Sequence, residues 1–497
     1  MKKYFIIFFV LILLFSIFIN FYGLENPYIF NDEGTLIISA IKFYKANFSV
    51  GIQYAVEHPP IAKFIMGIPS NFIVTAYEDT NAIKNEIYGW NYLAWLPIKD
   101  LYIPIRMMSA IFGIFSLLFI FLIGKELYNN EVGLFSMLIA TFSFDLLTYS
   151  RLILMEIYMV AFCLVTLYFF IRLIKNEKII NFIGFFIFLV LSLGSRTGQP
   201  LILLFIMAIS YPLLTKKLQK KNILAFYAIL FIAYIAIFWL IYNPNANVWG
   251  YFGFSTPLSL IELNAIPLFS LFLRNSYLFL FGLISSIFLF IAKRKEVVSR
   301  IRNKTPDTVL LLFALISLLA FSFLRYGENV RYLIFMFIPF YIIGGYATYY
   351  FFKKYNVVKL IVIGLVIVTL YQMMIYYPLF LNYYNFAFTG NNDMIANKVL
   401  NEIKDENLIV TNYLPVLVYN AKSIPMPVPI ANCGEIMAAT NLTNCNEKDI
   451  KNLALKKPMI VYYGPNIKND SIICDVFKTI NMTEIENFQD VHIFKVD

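Results

Sequence analysis

Residues 1–23 read MKKYFIIFFVLILLFSIFINFYG, an apolar run behind two lysines. A helical run of about twenty apolar residues crosses a hydrocarbon core of about 30 Å. A secretory signal peptide would have a shorter apolar region and a cleavage site with small residues, and no such site follows this run. We therefore expect a retained first transmembrane helix.

The rest of the composition also indicates a lipid environment. Of the 497 residues, 60% are hydrophobic and 14% are charged, whereas soluble domains are about 25% charged. Apolar runs recur along the chain and predict a polytopic α-helical membrane protein with eleven transmembrane helices. The runs lie near residues 4–22, 104–124, 131–149, 152–172, 179–194, 198–214, 222–242, 273–292, 307–325, 332–351 and 358–379.

Lysine and arginine concentrate on one side of this trace. The positive-inside rule makes that side cytoplasmic, so we expect a multi-pass plasma-membrane protein with its N-terminus in the cytoplasm and its C-terminal region outside. The basic loops on this side account for much of the formal net charge of +10. We therefore expect membrane lipid as a partner and no nucleic acid. The basic loops are at 2–3, 172–178, 216–221, 293–304 and 353–354.

Two segments are too long to be simple connectors. Residues 23–100 form an external first loop, and a loop of that length is expected to carry structure. Within it we predict helices at 33–47 and 60–75. Residues 385–497 form the second segment, which we predict to be a small external α/β domain after a transmembrane domain at 1–384.

Short runs of strand-forming residues divide the C-terminal domain. We predict strands at 408–412 and 458–464, one or two more within 484–497, and helices near 394–402 and 471–479. The four cysteines of the chain have neither CxxC nor zinc-ligand spacing. We therefore predict no metal site from the cysteines.

Adjacent carboxylates follow the first apolar run. Asp32 and Glu33 lie on the predicted outer side, near the membrane surface. A carboxylate there can accept a proton from an acceptor hydroxyl while the substrate lipid stays in the bilayer. The structural alternative is an N-terminal cap and a first-turn acid for the helix at 33–47.

A second motif is Glu57-His58-Pro59-Pro60, followed by Lys63. Pro60 suits the start of the next helix. His58 and Lys63 can bind a phosphate or a hydroxyl from neighbouring positions. A structural turn is the alternative interpretation of the same residues.

Six arginines lie at predicted outer helix ends, on the side that the positive-inside rule disfavours. Arginine at that depth is usually paired or functional, and its guanidinium matches phosphate oxygens; snorkelling to headgroups is the alternative. We select Arg151, Arg196 and Arg331 as functional. Glu156 and Asp145 either face an aqueous cavity or neutralise an arginine. The six are Arg106, Arg151, Arg196, Arg274, Arg325 and Arg331.

Together these motifs resemble the protein O-mannosyltransferase and aminoarabinose-transferase branch of the membrane glycosyltransferases with the C-type fold. Their order and spacing agree with that family over about residues 1–350, and the WWDYG-like signature of oligosaccharyltransferases is missing. The matching motifs are Asp32-Glu33, His58-Pro59-Pro60 with Lys63, Ser150-Arg151-Leu152-Ile153-Leu154-Met155-Glu156 with glutamate in place of the usual aspartate, and Arg331-Tyr332-Leu333.

The resemblance implies transfer of a sugar from a polyprenyl phosphate to a protein, lipid or glycan acceptor, with inversion at the anomeric carbon. Asp32 is then the general base, and Glu33 is an orienting or acceptor-binding carboxylate. No cofactor is required, and a divalent metal stays open. The implied donor- and phosphate-binding residues are His58, Lys63, Arg151, Arg196 and Arg331, and the supporting ones are Glu57, Glu156 and Tyr332.

Two other classes of function are open. A transporter or lipid-linked-sugar flippase also has many helices and intramembrane charges, but such proteins commonly show inverted repeats and broken midplane helices. Here the charges gather at one interface. A receptor or scaffold acting through the C-terminal domain leaves Asp32, His58 and the arginines without a role, so a glycosyltransferase accounts for more of the sequence.

Overall fold

The structure is a computed structural model, and the chain divides into two compact units. The first comprises Met1–Pro27, Ser49–Met66 and Arg106–Leu381, and the second Tyr28–Phe48, Gly67–Ile105 and Asn382–Asp497. The predicted domain boundary after residue 384 stays a prediction. The residues that the structure describes are 2–24, 33, 36–37, 40, 60–74, 98–196, 198–214, 224, 226–232, 275–323, 334–383, 409–411, 427–429, 459–463, 481–488 and 491–496.

Most of the described residues before 384 are helical and, apart from short fragments, they form thirteen helices. In chain order they are α1 Lys2–Phe21, α2 Pro60–Val74, α3 Ile98–Leu127, α4 Asn130–Thr141, α5 Phe144–Ser150, α6 Met155–Lys175, α7 Ile179–Leu193, α8 Gly198–Leu214, α9 Tyr277–Ala292, α10 Arg294–Arg302, α11 Thr308–Phe323, α12 Ile334–Lys354 and α13 Asn356–Tyr383.

Every apolar run predicted to cross the membrane contains helical residues, so the predicted polytopic helical fold is confirmed. By length and composition, five of the described helices can cross a bilayer: α1, α3, α6, α12 and α13. The bent pairs α4–α5 and α9–α10 raise this number to seven if each pair is one span. The count of eleven crossings stays a prediction.

Two predicted runs differ in detail from the helices. The run near 104–124 lies within α3, which begins earlier, at Ile98, and continues through Pro104, whose missing N–H leaves one helical bond unmade. The run at 131–149 is not one straight helix but α4 and α5, which meet at an angle of 69°. At this turn the Phe144 N–H donates to Asn275 Oδ1 at 3.1 Å, a contact made across the fold.

Small residues let helices of the first unit approach closely. A Cβ placed on Gly345 of α12 would lie 2.7 Å or less from the Oγ, N and Cα of Ser136 on α4. Gly344 of α12 faces Gly282 of α9, where a Cβ would lie 3.3 Å from the nearest backbone atoms. Close backbone approach at small residues stabilises helix pairs in lipid, so α12 packs against both α4 and α9.

The two ends of α6 belong to different clusters of the first unit. At its C-terminus Lys175 lies 3.1 Å from Glu126 of α3, and Tyr128, just after α3, stacks on Tyr346 of α12 with centroids 4.3 Å apart. We call this the basic end, because the basic segments at 172–178, 293–304 and 353–354 lie there. Helix α6 has 21 residues and separates the basic end from its own N-terminus by about 30 Å.

The second unit contains a five-stranded sheet. The strands are β1 Ile409–Thr411, β2 Pro427–Pro429, β3 Met459–Tyr463, β4 Met482–Phe488 and β5 Val491–Val496, in the order β2-β1-β3-β5-β4. Strand β1 is parallel to β2 and β3, whereas β5 is antiparallel to β3 and β4.

The predicted strands near 408, 458 and the C-terminus are confirmed, and β2 was missed. Its two prolines argue against a strand, and β2 accommodates them at the edge of the sheet. The helices predicted near 394–402 and 471–479 lie outside the described residues. The small α/β domain as a whole therefore stays a prediction.

Candidate active site

Arg151 holds the C-terminal end of the first helix. It is 1% exposed, its Nη1 donates to the carbonyl of Ile19, and its Nη2 donates to the carbonyl of Gly23 at 2.9 Å. The last carbonyls of a helix have no partner within the helix and form the negative end of its dipole. A buried guanidinium satisfies both requirements, so Arg151 fixes the end of α1.

Two neighbouring contacts strengthen the same attachment. Ser150, the last residue of α5, donates its hydroxyl to Oδ1 of Asn20 near the end of α1. Arg106 of α3 is 2% exposed and donates to the carbonyl of Leu24 at 2.9 Å. The two arginines therefore bind consecutive carbonyls of the segment that leads from α1 towards the carboxylates at 32 and 33.

Glu156 is in the first turn of α6 and forms an ion pair across the bundle. Its Oε1 lies 2.9 Å from Nη1 of Arg196, and the two side chains are 1% and 15% exposed. The N-terminus of α6 favours a carboxylate, because the helix dipole is positive there. The structure thus supports the interpretation in which Glu156 neutralises an arginine, and that arginine is Arg196.

The start of α2 is attached to the turn that carries Arg196. The Ile61 N–H, one of the first-turn donors that a helix leaves unsatisfied, donates to the carbonyl of Gly194 at 2.9 Å. A Cβ on Gly194 would lie 2.3 Å from Cδ1 of Ile61, so glycine permits this approach. Lys63, two residues further along α2, is fully buried.

These contacts define a cluster that we call the arginine end. It comprises the C-terminal end of α1 with Arg151, the N-terminal end of α6 with Glu156, and the 194–196 turn with Ile61 and Lys63 of α2. Of the predicted donor-site residues, the structure brings Lys63 and Arg196 onto adjoining segments. Buried Lys63 and Arg151 and the 15% exposed Arg196 bring three cations to this cluster, and a guanidinium can bind phosphate oxygens.

Known proteins resemble this chain in sequence family and in structure. Residues 95–242 match the family of dolichyl-phosphate-mannose-protein mannosyltransferases, a range that includes Arg151, Glu156 and Arg196. ArnT of Cupriavidus metallidurans, bound to undecaprenyl phosphate, superposes with a TM-score of 0.64, at 11% identity over 98% of this chain and 97% of that one. The chain has the C-type glycosyltransferase fold.

A second protein with this fold is also similar. The apo oligosaccharyltransferase of Archaeoglobus fulgidus matches with a TM-score of 0.56, at 13% identity over 93% of this chain and 69% of that one. No curated protein sequence matches the chain significantly. The predicted resemblance to the mannosyltransferase and ArnT-like superfamily is confirmed, and the comparisons support a membrane glycosyltransferase.

Glu33 lies in the second unit and is fully buried. With Leu36, Ile37 and Ala40 it occupies positions at helical spacing, all helical and all buried. These four residues agree with the first half of the predicted helix at 33–47. A role for Glu33 in the C-type site stays a prediction.

Several predicted site residues lie outside the described part of the chain. Asp32 has no described position, and neither do four other residues of the predicted site. Among the described residues, no group of three or more His, Cys, Asp or Glu side chains is arranged to hold a metal ion. The assignments of Asp32, Glu57, His58, Arg331 and Tyr332 therefore stay predictions.

Two buried asparagines that contact the two ends of α5 were not predicted from the sequence. Asn20 accepts from Ser150, and Asn275 donates to Asp145 Oδ2 at 3.0 Å while it accepts from the Phe144 N–H. Both asparagines are 2% exposed. Their signal was an amide at the edge of an apolar run, where a polar group needs a protein partner.

Proposed function

We propose that this protein is an inverting glycosyltransferase that moves a sugar from a polyprenyl-phosphate donor to an acceptor at the arginine end of the bundle. The observation that carries the proposal is the set Lys63, Arg151 and Arg196 with Glu156, in which Arg196 is 15% exposed and the other three are buried. Three members of the set fall within the mannosyltransferase family match. The undecaprenyl phosphate bound by ArnT supports this class of donor.

In the proposed reaction, an acceptor nucleophile attacks the anomeric carbon of the sugar. The bond from that carbon to the phosphate oxygen breaks, and its electron pair remains on the polyprenyl phosphate. Asp32 takes the proton of the nucleophile as general base. Glu33 orients the acceptor, and His58 helps to hold the donor.

The cations act on the charge that develops on the departing phosphate. Fixed donors at such a point lower the barrier, because they need no reorganisation during the reaction. Arg196 is held in place by Glu156 at 2.9 Å, which orients its guanidinium. Arg151 adds a positioning role through the carbonyls of α1. Lys63 and Arg331 complete the proposed phosphate site, with Glu57 and Tyr332 as supporting residues.

The proposal is tested by comparing sugar transfer in wild type and Asp32→Asn. Purified protein in lipid nanodiscs is incubated with radiolabelled polyprenyl-phosphate sugars and an extract of membrane lipids and proteins. We expect wild type to transfer label and Asp32→Asn to lose at least about a hundredfold in rate, since general-base catalysis contributes about 10²–10⁴-fold. The matched control is Glu486→Gln, which removes an exposed carboxylate on β4 and should leave the rate unchanged.

Three results would change these assignments. Equal transfer by wild type and Asp32→Asn, with both folded and donor-binding, would remove Asp32 as the base. If Glu486→Gln also lost transfer, the loss would reflect the amount of folded protein rather than catalysis. If no donor gives transfer but labelled lipid changes leaflet, the protein is a flippase.

A further inference from the structure

Helix α10 leaves the bundle at the basic end and turns sharply away from α9. The axes of Tyr277–Ala292 and Arg294–Arg302 are bent by 83°. A spanning helix is tilted by only about 20° from the bilayer normal. If α9 spans in this way, α10 runs nearly parallel to the membrane surface.

One face of α10 is attached to the protein. Arg300 Nη1 lies 2.9 Å from Asp307 Oδ2 and its Nη2 lies 3.1 Å from Glu296 Oε1, and its guanidinium lies over the Tyr346 ring, 5.6 Å from the centroid. Lys293 also pairs with Glu296, which lowers the pKa of that carboxyl, chiefly by the hydrogen bond. Arg300 thereby holds the C-terminal part of α10 against α12 and the start of α11. Lys293 lies over the Tyr350 ring, 4.7 Å from its centroid, and holds the N-terminal end against α12.

The C-terminus of α10 is closed by a backbone motif. The Lys304 N–H donates to the Ile301 carbonyl and the Thr305 N–H donates to the Arg300 carbonyl, both at 3.1 Å. Lys304 has φ = 55°, the left-handed conformation that ends many helices. The chain then enters α11, so α10 is fixed between two apolar helices.

The other face of α10 is exposed and combines two apolar side chains with cations. Val298 is 59% exposed and Ile301 is 46% exposed, three residues apart and therefore neighbours on the helix surface. They continue a series of exposed apolar side chains on α9 that ends with Phe290 and Ile291, 53% and 64% exposed. The exposed cations of this segment are Arg294, Lys295, Arg302 and Lys304.

We propose that α10 is an interfacial helix that inserts Val298 and Ile301 among the acyl chains and binds anionic phospholipid headgroups with Arg294, Lys295 and Arg302. A short basic amphipathic helix lies in the interface in this way. The charge of the helix fits the cytoplasmic leaflet, which carries the anionic lipids. That is the leaflet to which the positive-inside rule assigns the basic end. The inference is independent of the glycosyltransferase proposal.

The depth of α10 is measured on the full chain in nanodiscs that contain phosphatidylglycerol and phosphatidylcholine. Single cysteines carrying a spin label replace Val298, Ile301 or, as the matched control, Ser299, in a background without the four native cysteines. We expect collisions with oxygen to dominate at 298 and 301 and collisions with a water-soluble nickel complex to dominate at 299. Nickel-dominated collisions at all three positions would overturn the proposal.

The lipid preference is measured by mass spectrometry of the phospholipid that stays bound to the protein. We expect R294Q/K295Q/R302Q to reduce the enrichment of phosphatidylglycerol at least about fivefold. Loss of even one cation near a charged surface has an effect of about this size. The control K178Q/K353Q/K354Q removes three exposed cations elsewhere at the basic end and should retain the enrichment. Equal loss in both triple variants, or no loss in the first, would contradict specific binding by α10.

Discussion

Glu156 and Arg196 show how single residues combine at the arginine end. Their separation in sequence is forty residues, yet the carboxylate oxygen and the guanidinium nitrogen lie 2.9 Å apart. A buried charge is costly without its partner. The pair therefore has two roles, to hold α6 against the 194–196 turn and to orient the guanidinium proposed to meet the phosphate.

We predict strong energetic coupling between these two side chains. Glu156→Gln alone should lower the free energy of unfolding by about 3 kcal/mol, because it leaves a largely buried arginine without its counter-charge. Glu156→Gln with Arg196→Gln should cost less than the sum of the single changes, with a coupling of about 1–3 kcal/mol. The measurement is denaturation in mixed micelles, followed by circular dichroism, for all four proteins of the cycle.

The control cycle uses Glu126 and Lys175 at the basic end. These side chains are 30% and 35% exposed at a similar separation of 3.1 Å, and exposed pairs are coupled by less than about 1 kcal/mol. If the effects at Glu156 and Arg196 were additive, or if both cycles gave equal coupling, burial would not strengthen the ion pair at the arginine end.

From the sequence we could select these charged residues but could not predict their contacts. Arg151, Arg196 and Glu156 were selected because charges in apolar helices need a reason. The partners of Arg151 are the backbone carbonyls of Ile19 in α1 and of Gly23 just after it, about 130 positions away in sequence. Local patterns carry no information about such a contact, since it depends on how the helices pack.

Helix packing at the element scale depends on a few small residues. Gly345 of α12 lies against Ser136 of α4, where even a single added carbon would meet backbone atoms. Since backbone atoms cannot rotate away as a side-chain end can, a larger residue must separate the two helices. The pair α4–α12 is therefore sensitive to one methyl group.

We predict that Gly345→Ala destabilises the protein by about 1–3 kcal/mol, the usual effect of overpacking. The control is Gly364→Ala on α13, where a Cβ would have no atom within 4 Å and where alanine favours the helix. Thermal unfolding in detergent should give a lower midpoint for Gly345→Ala and an unchanged or higher one for Gly364→Ala. Equal midpoints would show that α4 and α12 are not in close contact.

Element positions were largely predictable, and their breaks were not. Apolar runs identified α8 at 198–214 and α2 near 60–75, because the length and composition of a run are local properties. The break between α4 and α5 escaped detection, since Asn275 supports it from a distant part of the chain. Strand β2 was missed because its two prolines are tolerated only at a sheet edge.

At the scale of the whole molecule, the C-type fold separates two chemically different ends. The arginine end holds buried cations beside the end of α1, and the basic end holds exposed cations on loops and on α10. We propose a phosphate site at the first of these ends and lipid binding at the second. The sequence predicted this polarity through the positive-inside rule.

In the proposed function, a sugar leaves a polyprenyl phosphate that is bound to this protein. To test this, both the sugar transferred and the free polyprenyl phosphate produced are quantified for wild-type protein in nanodiscs. We expect one polyprenyl phosphate to be released per sugar transferred, and a product whose anomeric configuration is opposite to that of the donor. Retention of the configuration, or sugar transfer without release of polyprenyl phosphate, would contradict it.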